Sequence, residues 1–239
     1  MARYALSDLH GRLDLFLKIK EFLQPDDIVY FLGDAGDRGF NGWEIIKQIY
    51  ESPQFIYLKG NHEDMLVKAI LAYRENAEVP SMAYMHLYRN GGAYTFEDWW
   101  KDGADKTWAN KLDQLPLHAE FVNNNGQLIL LSHAGYTPWS YIDETSTLAS
   151  LPSQKELLWD RDHLYDDWSE EECVKNSIVV HGHTTLPSLF KKLCIKEPVP
   201  VGAYWYFNNH KVDIDNYSAG TGKACLLNLD TLEAIVIEA

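Results

Sequence analysis

Five short apolar runs in this chain are each followed directly by polar side chains of the kinds that bind metals. The runs are rich in β-branched and aromatic residues, which is typical of buried strands, and the glycines and polar residues behind them indicate loops. The runs and the residues they lead to are 3–7 with Asp8, 28–32 with Asp34, 55–59 with Asn61, 128–132 with His133, and 178–180 with His181 and then His183. Because α/β proteins place their chemistry on loops at strand ends, this pattern predicts a functional site at one sheet edge.

Helical patterns separate the first three runs. Apolar residues recur at helical spacing over 13–23 and over 43–49, and Asn41 precedes the second stretch as a possible N-cap, with Glu44 three residues later. The order strand, helix, strand, helix, strand implies parallel strands joined by right-handed crossovers, so that the three strand ends lie on the same side of the sheet. The polar clusters near positions 8, 34 and 61 are therefore expected to converge.

The rest of the chain predicts helical insertions and further strands. A helical stretch at 65–74 leads into a Trp- and Tyr-rich region at 84–108, which predicts one helical insertion, and a second insertion is expected at 137–168. Four apolar runs between 203 and 237, separated by turn signals, predict antiparallel hairpins and hence a meander. The expected fold class is α/β, with a central mixed β-sandwich flanked by helices and helical insertions at the active edge.

Length and composition limit the class of protein. The chain has 239 residues with ligand-type side chains from position 8 to position 183, and we expect one domain over 1–239, because two domains would split the site. No apolar stretch approaches the roughly 20 residues of a membrane span, and no signal-peptide pattern precedes the first strand, so a soluble cytoplasmic protein without a membrane partner is expected. A net charge of −14 disfavours duplex nucleic acid as a partner.

The three cysteines carry no sign of chemistry. Cys173, Cys194 and Cys225 are an odd number without metal-ligand spacing, which is expected where thiols stay reduced. We interpret all three as packing residues.

The polar clusters contain donors for two cations. The six candidate ligands are Asp8, His10, Asp34, Asn61, His133 and His183. The first two can bind one cation, and Asp34 can bridge it to a second cation that the last three hold. Mixed oxygen and nitrogen donors suit manganese, iron or zinc better than calcium. Each motif alone would usually be a surface turn, but all of them occur in order, each behind an apolar run.

These motifs resemble those of the calcineurin-like metallophosphoesterases. That signature joins Asp-x-His, Gly-Asp-x-x-Asp and Gly-Asn-His-Asp or Glu through gaps of about 25 residues. Here Asp34 follows His10 by 24 positions, and Asn61 follows Asp34 by 27. Asp-Arg-Gly at 37–39 and Asn-His-Glu at 61–63 resemble the phosphoprotein phosphatase branch, which includes phage and bacterial serine/threonine phosphatases.

A difference near the C-terminal end of the motif set favours the same branch. Phosphodiesterase branches of the superfamily often read Gly-His-x-His, in which the second histidine is a metal ligand, whereas this chain reads Gly-His-Thr-Thr at 182–185. The family pattern also places the ligand at His183 and leaves a structural role for His181.

The resemblance implies a metal-dependent phosphomonoesterase that hydrolyses phosphoserine, phosphothreonine and simple phosphate monoesters. A hydroxide that bridges two divalent cations, manganese or alternatively iron or zinc, would attack phosphorus directly. By the same resemblance His62 is the general acid and Asp37 orients it, while Arg38 and Arg161 hold the phosphate oxygens. Arg161 lies outside the strong motifs, so a surface arginine is the alternative interpretation for it.

Two other functions are compatible with the same residues. A symmetrical bis(5'-nucleosyl) tetraphosphate hydrolase, or another small-molecule phosphoesterase, shares the metal motifs, and a catalytically idle scaffold is disfavoured because every motif position is intact. The expected partner is accordingly a phosphorylated protein or a small phosphorylated molecule.

Two residues near the motifs are expected to be structural. Glu63 is expected to buttress the helix that follows it. His86, like the other histidines without motif context, is expected to be an ordinary surface or packing residue.

Overall fold

In the computed structural model, which describes residues 1–73, 81–136, 153–167 and 176–239, ten strands and nine α-helices follow one another along the described chain. The strands are β1 Arg3–Leu6, β2 Ile28–Phe31, β3 Phe55–Tyr57, β4 His118–Val122, β5 Leu128–Ser132, β6 Ser177–His181, β7 Tyr204–Tyr206, β8 Lys211–Asp213, β9 Lys223–Asn228 and β10 Ala234–Glu238. The helices are α1 Leu13–Phe22, α2 Gly42–Glu51, α3 Asn61–Ala72, α4 Ser81–Arg89, α5 Ala93–Lys101, α6 Thr107–Asp113, α7 Gln154–Trp159, α8 Leu186–Lys192 and α9 Ser218–Thr221. A 3-10 helix, Asp162–Tyr165, follows α7.

The strands form two mixed five-stranded sheets, with the orders β10-β9-β1-β2-β3 and β4-β5-β6-β8-β7. In the first sheet β1, β2 and β3 are parallel, and β9 and β10 extend it with antiparallel pairs. In the second sheet β5, β6 and β8 are parallel, between antiparallel edge strands β4 and β7. The predicted α/β fold with a mixed β-sandwich flanked by helices is therefore confirmed.

Apolar side chains from both sheets form the layer between them. Ala5 and Leu32 from the first sheet pack with Ile129, Val180 and Val212 from the second, and all five are fully buried. A second core joins the outer face of the first sheet to α1, α2, α3 and the insertion helices. Because β1, β5 and β6 are buried on both faces over most of their length, their ends are held in place by packing on two sides.

The first three predicted strands and the helices between them agree with the structure to within two residues at each boundary. The predicted helical insertion at 84–108 is also confirmed, because it forms most of α4, all of α5 and the first two residues of α6. Asn41 precedes α2 as predicted, although its side chain forms no capping hydrogen bond. The strand β4 was not predicted.

The predicted C-terminal meander is wrong in one respect. β7 with β8, and β9 with β10, are antiparallel hairpins as expected, but the two hairpins belong to different sheets. β8 pairs in parallel with β6, whereas β9 pairs with β1. Turn signals identify neighbouring strands, but long-range packing chooses the sheet they join.

Some predicted features lie outside the described residues. They are Arg74 at the end of one predicted helix, positions 137–152 and 168 of the second insertion, and Cys173. Positions 153–167 of that insertion form α7 and the 3-10 helix. Within the four described ranges, no helix is long and apolar enough to cross a membrane.

Candidate metal centre

The loops behind β1, β2, β3, β5 and β6 lie side by side where the ends of the two sheets meet. Within the first sheet, the amide of Asp8 donates to the carbonyl of Gly33 at 3.1 Å, and the amide of His10 donates to the carbonyl of Asp34 at 3.1 Å. Between the sheets, the amide of His183 donates to Oδ2 of Asp8 at 3.0 Å. The structure thereby brings together all six candidate metal ligands.

Backbone geometry at the site is unusual. Six of the predicted site residues have positive φ angles, between 46° and 69°, and they are Asp8, His10, Asp34, Asp37, Arg38 and His183. Left-handed backbone costs a non-glycine residue about 1–2 kcal/mol, and such strain concentrates at functional sites. Sharp turns of this kind aim side chains from consecutive loop residues into one small volume.

Two glycines allow the strand ends to approach each other. A Cβ on Gly33, whose φ is +93°, would overlap the backbone of Gly60, and a Cβ on Gly60 would overlap Oδ1 of Asp34. Only glycine permits the loops behind β2 and β3 to lie this close together. This steric requirement explains why a glycine precedes Asp34 and another precedes Asn61 in the motifs.

One donor group consists of His133, His183, Asn61 and Asp34. Nδ1–H of His133 donates to the carbonyl of Leu32 at 2.8 Å, which leaves a lone pair on Nε2. That Nε2 lies 2.8 Å from Oδ1 of Asn61 and 3.5 Å from Oδ1 of Asp34. Lone pairs that face one another across such distances repel unless a cation lies among them, so this arrangement fits a divalent cation.

The other donor group consists of Asp8, His10 and Asp34. Nδ1–H of His10 donates to the carbonyl of Gly36 at 2.9 Å, so its Nε2 again carries a lone pair. This Nε2 lies 3.7 Å from Oδ1 of Asp8 and 3.7 Å from Oδ2 of Asp34. Asp34 therefore faces histidines of both groups, and its role as a bridging carboxylate stays a prediction.

Burial shifts the pKa values of these ligands towards their neutral forms, which suits metal binding for the histidines and opposes it for the carboxyl group of Asp34. Burial lowers the pKa of His10 and of His183 well below its ordinary value, so both imidazoles are neutral, which is the form that binds metals. Burial, followed by the charges of Asp8 and Glu63, raises the pKa of Asp34 well above its ordinary value. A cation beside that carboxylate would offset the cost of ionising it.

Three further residues of the strong motifs adjoin the donors. Nδ1 of His62 lies 2.6 Å from Oδ2 of Asp37. The guanidinium of Arg38 donates to Nε2 of His62 at 3.2 Å and to Nε2 of His10 at 2.6 Å. The predicted acid, its carboxylate partner and Arg38 therefore lie against the donor group of Asp8, His10 and Asp34.

Glu63 connects the loop behind β2 to the start of α3. Its Oε2 accepts from the amides of Asp34 and Gly60 at 2.8 Å each, and its Oε1 accepts from the amide of Ala35 at 2.9 Å and from the hydroxyl of Tyr57 at 2.8 Å. These contacts confirm a buttressing role, and they extend it beyond the helix that the prediction considered.

Arg161 is half-buried after α7 rather than fully exposed. Burial lowers its pKa, whereas the charges of Asp34 and Asp8 raise it, and the charge of Arg161 in turn lowers the pKa of His133. The charge of Arg161 and those of Asp34 and Asp8 therefore influence one another. The geometry leaves its phosphate-binding role a prediction.

His86 is the residue that sequence reasoning missed. It is fully buried on α4, and its Nδ1 lies 3.3 Å from Oδ2 of Asp37. The sequence analysis expected no more than a surface or packing residue at this position, and no motif marks it. His181 forms a different set of contacts, with its Nε2 2.6 Å from the hydroxyl of Tyr206.

The family comparison agrees with this fold. The calcineurin-like phosphoesterase family matches residues 1–221, and the chain belongs to that family. It is therefore a metallophosphoesterase, a metal-dependent hydrolase of phosphate esters. No curated protein matches the chain.

Solved structures that share this fold are named for different phosphatase activities. A candidate diadenosine tetraphosphatase has 15% identity and a TM-score of 0.60, and the match covers 98% of this chain and 92% of the other. A serine/threonine phosphatase from Saccharomyces cerevisiae has 16% identity and a TM-score of 0.61, covering 100% and 80%. A cold-active protein-tyrosine phosphatase from a Shewanella species has 17% identity and a TM-score of 0.56, covering 98% and 76%. At these identities the likeness concerns the fold.

Proposed function

We propose that this protein is a phosphomonoesterase with two divalent cations that hydrolyses phosphoserine and phosphothreonine in proteins, as well as simple phosphate monoesters. One observation carries the proposal: the Arg38 guanidinium lies between the Nε2 atoms of His10 and His62, beside the donor groups. A planar guanidinium can bind two oxygens of a phosphate monoester dianion at once.

The side chains divide the chemistry between them. The two donor groups would hold two divalent cations, and we propose manganese, with iron or zinc as alternatives. Bound cations supply Lewis acidity and a nucleophilic water near neutral pH. The charged form of His62, with a proton on each ring nitrogen, would donate from Nε2 to the leaving oxygen, whereas in the structure that nitrogen accepts from Arg38. Asp37, beside Nδ1 of His62, would stabilise the charged imidazole. Arg38 and Arg161 bind the non-bridging oxygens.

The end of the Gly-His-Thr-Thr segment supports the phosphatase branch. Thr185, where diesterase branches often have a second histidine ligand, is instead the N-cap of α8, and its Oγ1 accepts from the amide of Ser188 at 3.3 Å. A side chain occupied in capping offers no metal ligand. Support for monoester substrates therefore comes from local structure as well as from the motif.

The test is a substrate panel with manganese-loaded protein. It contains para-nitrophenyl phosphate and peptides with phosphoserine, phosphothreonine or phosphotyrosine. We expect turnover of the first three, and loss of turnover and of bound metal in Asn61→Ala, because Oδ1 of Asn61 faces two histidine nitrogens. The control is Asn110→Ala, which changes an exposed asparagine on α6. Equal activity of wild type and Asn61→Ala would contradict the proposal.

A second function is kept because a candidate diadenosine tetraphosphatase shares the fold over nearly the whole of both chains. Diadenosine tetraphosphate belongs in the same panel, with products separated by chromatography. Conversion to two ADP molecules at a kcat/KM well above that of the phosphopeptides would replace the protein substrate by a dinucleotide. We propose the cytoplasm as the location and a phosphorylated protein or small molecule as the partner.

A further inference from the structure

The helical insertion contributes to the site through a buried histidine. His86 is fully buried on α4, and Gly92 lies so close to its ring that a Cβ there would overlap the ring atoms. The amide of Gly92 also donates to the carbonyl of His86 at 3.0 Å. Since ring and backbone are both confined, the imidazole has little freedom to turn away from its neighbours.

The polar group that the His86 ring faces is the Asp37 carboxylate. Nδ1 of His86 lies 3.3 Å from Oδ2 of Asp37, the same oxygen that lies 2.6 Å from Nδ1 of His62. Among the described residues, both ring nitrogens of His86 are buried, and neither forms a hydrogen bond of good geometry. A buried imidazole N–H without a partner is costly, so this N–H gains most by pointing at the carboxylate.

Thr95, on the next helix of the insertion, holds Asp37 from another direction. The amide of Asp37 donates to Oγ1 of Thr95 at 2.7 Å. Burial raises the pKa of Asp37 to about 6, whereas His86 first and Thr95 second lower it. The insertion therefore surrounds the carboxylate with groups that favour its charged form and fix its orientation.

We propose that His86 is a positioning residue for the reaction: its Nδ1–H donates to Asp37 and holds that carboxylate in place against His62. This inference rests on the proposed function only for its kinetic test. His86 does not touch the substrate and acts through Asp37. The insertion helices α4 and α5 thereby become a structural part of the proton-donating apparatus.

The test compares leaving groups. Phenyl phosphate needs protonation of its leaving oxygen far more than para-nitrophenyl phosphate does, so a defect in the acid affects it selectively. We expect His86→Phe to lower kcat about tenfold for phenyl phosphate and less than about threefold for para-nitrophenyl phosphate, with KM within about twofold, because a positioned acid contributes about 10²–10⁴-fold in all. Equal losses on both substrates would overturn the proposal.

Matched variants separate positioning from packing. An Asn amide nitrogen superposes on Nδ1 of histidine and a Gln amide nitrogen on Nε2, so His86→Asn should keep more activity on phenyl phosphate than His86→Gln does. The reverse order would overturn the assignment, and this comparison holds even if His86→Phe does not fold. In an Asp37→Asn background, His86→Phe should cause no further loss, whereas an additive loss would contradict action through Asp37.

A spectroscopic readout does not depend on turnover. In metal-free protein labelled with 15N-histidine, the His62 Nδ1–H that is bonded to Asp37 should give a low-field proton resonance. We expect this resonance to persist in His86→Asn and to be lost or shifted upfield in His86→Phe. An unchanged resonance in both would overturn the proposal. Failure of wild type on para-nitrophenyl phosphate would instead refute the proposed function alone.

Discussion

Replacing Glu63 by alanine removes the common acceptor of four buried donors. These are the amides of Asp34, Ala35 and Gly60 and the hydroxyl of Tyr57, at 2.8–2.9 Å. Leaving one buried donor unpaired costs about 1–3 kcal/mol. Summing the low end over four donors, we expect Glu63→Ala to lower the free energy of unfolding of the metal-free protein by about 4 kcal/mol.

Glu63→Gln provides a graded comparison. The amide keeps one oxygen, which can still accept from Asp34 and Gly60, while the Tyr57 hydroxyl can rotate to accept from the new NH₂ group. Only the Ala35 amide then loses its acceptor. We therefore expect a cost of about 1–2 kcal/mol, well below that of Glu63→Ala.

The assay is urea unfolding of metal-free protein, followed by tryptophan fluorescence. Glu21→Gln is the matched control, since it makes the same chemical change at an exposed position on α1 and should stay within about 0.5 kcal/mol of wild type. A loss below about 1 kcal/mol in Glu63→Ala would refute the reasoning, because four unpaired buried donors cannot cost so little. Equal costs for the alanine and glutamine variants would refute the assignment of individual bonds.

Three further outcomes are expected. Arg38→Lys should lower kcat on para-nitrophenyl phosphate by about 10²-fold, because an ammonium group cannot reproduce a planar fork, and near-wild-type turnover would argue against a phosphate-binding role. The pKa of Asp37 is about 6 in the folded protein and 3.8 in the unfolded chain, so the folded protein binds a proton at Asp37 more tightly. The stabilisation that this proton provides is lost as the pH rises from about 4 to about 6. In urea unfolding of metal-free protein, the free energy of unfolding should therefore fall across this pH range by about 3 kcal/mol at most, and Asp37→Asn should lack this fall. Parallel pH dependences for wild type and Asp37→Asn would contradict the pKa shift. Burial raises the pKa of Cys225 to about 12, so a variant with Cys225 as its only cysteine should react with Ellman's reagent at pH 8 only after denaturation, whereas exposed Cys194 should react in the native state.

The clustering of the candidate metal ligands could be predicted from the sequence because each follows a strand closely. Asp8, Asp34 and Asn61 follow parallel strands of one sheet, and local rules of strand pairing and crossover handedness suffice to bring such ends together. The prediction of a C-terminal meander was wrong for the opposite reason. Hairpin signals are local, but whether β8 lies beside β6 or β9 depends on which apolar faces pack together.

The sequence by itself determined the repeated order of apolar run and polar cluster, and with it the α/β class and the candidate ligands. Only the tertiary structure decided that the ligands come from the facing ends of two sheets, where the amide of His183 meets the carboxylate of Asp8. It alone joined His86 to Asp37 across 49 positions of chain. Secondary-structure periodicity constrains neighbours in sequence, whereas contacts between an insertion and a loop depend on how the whole core packs.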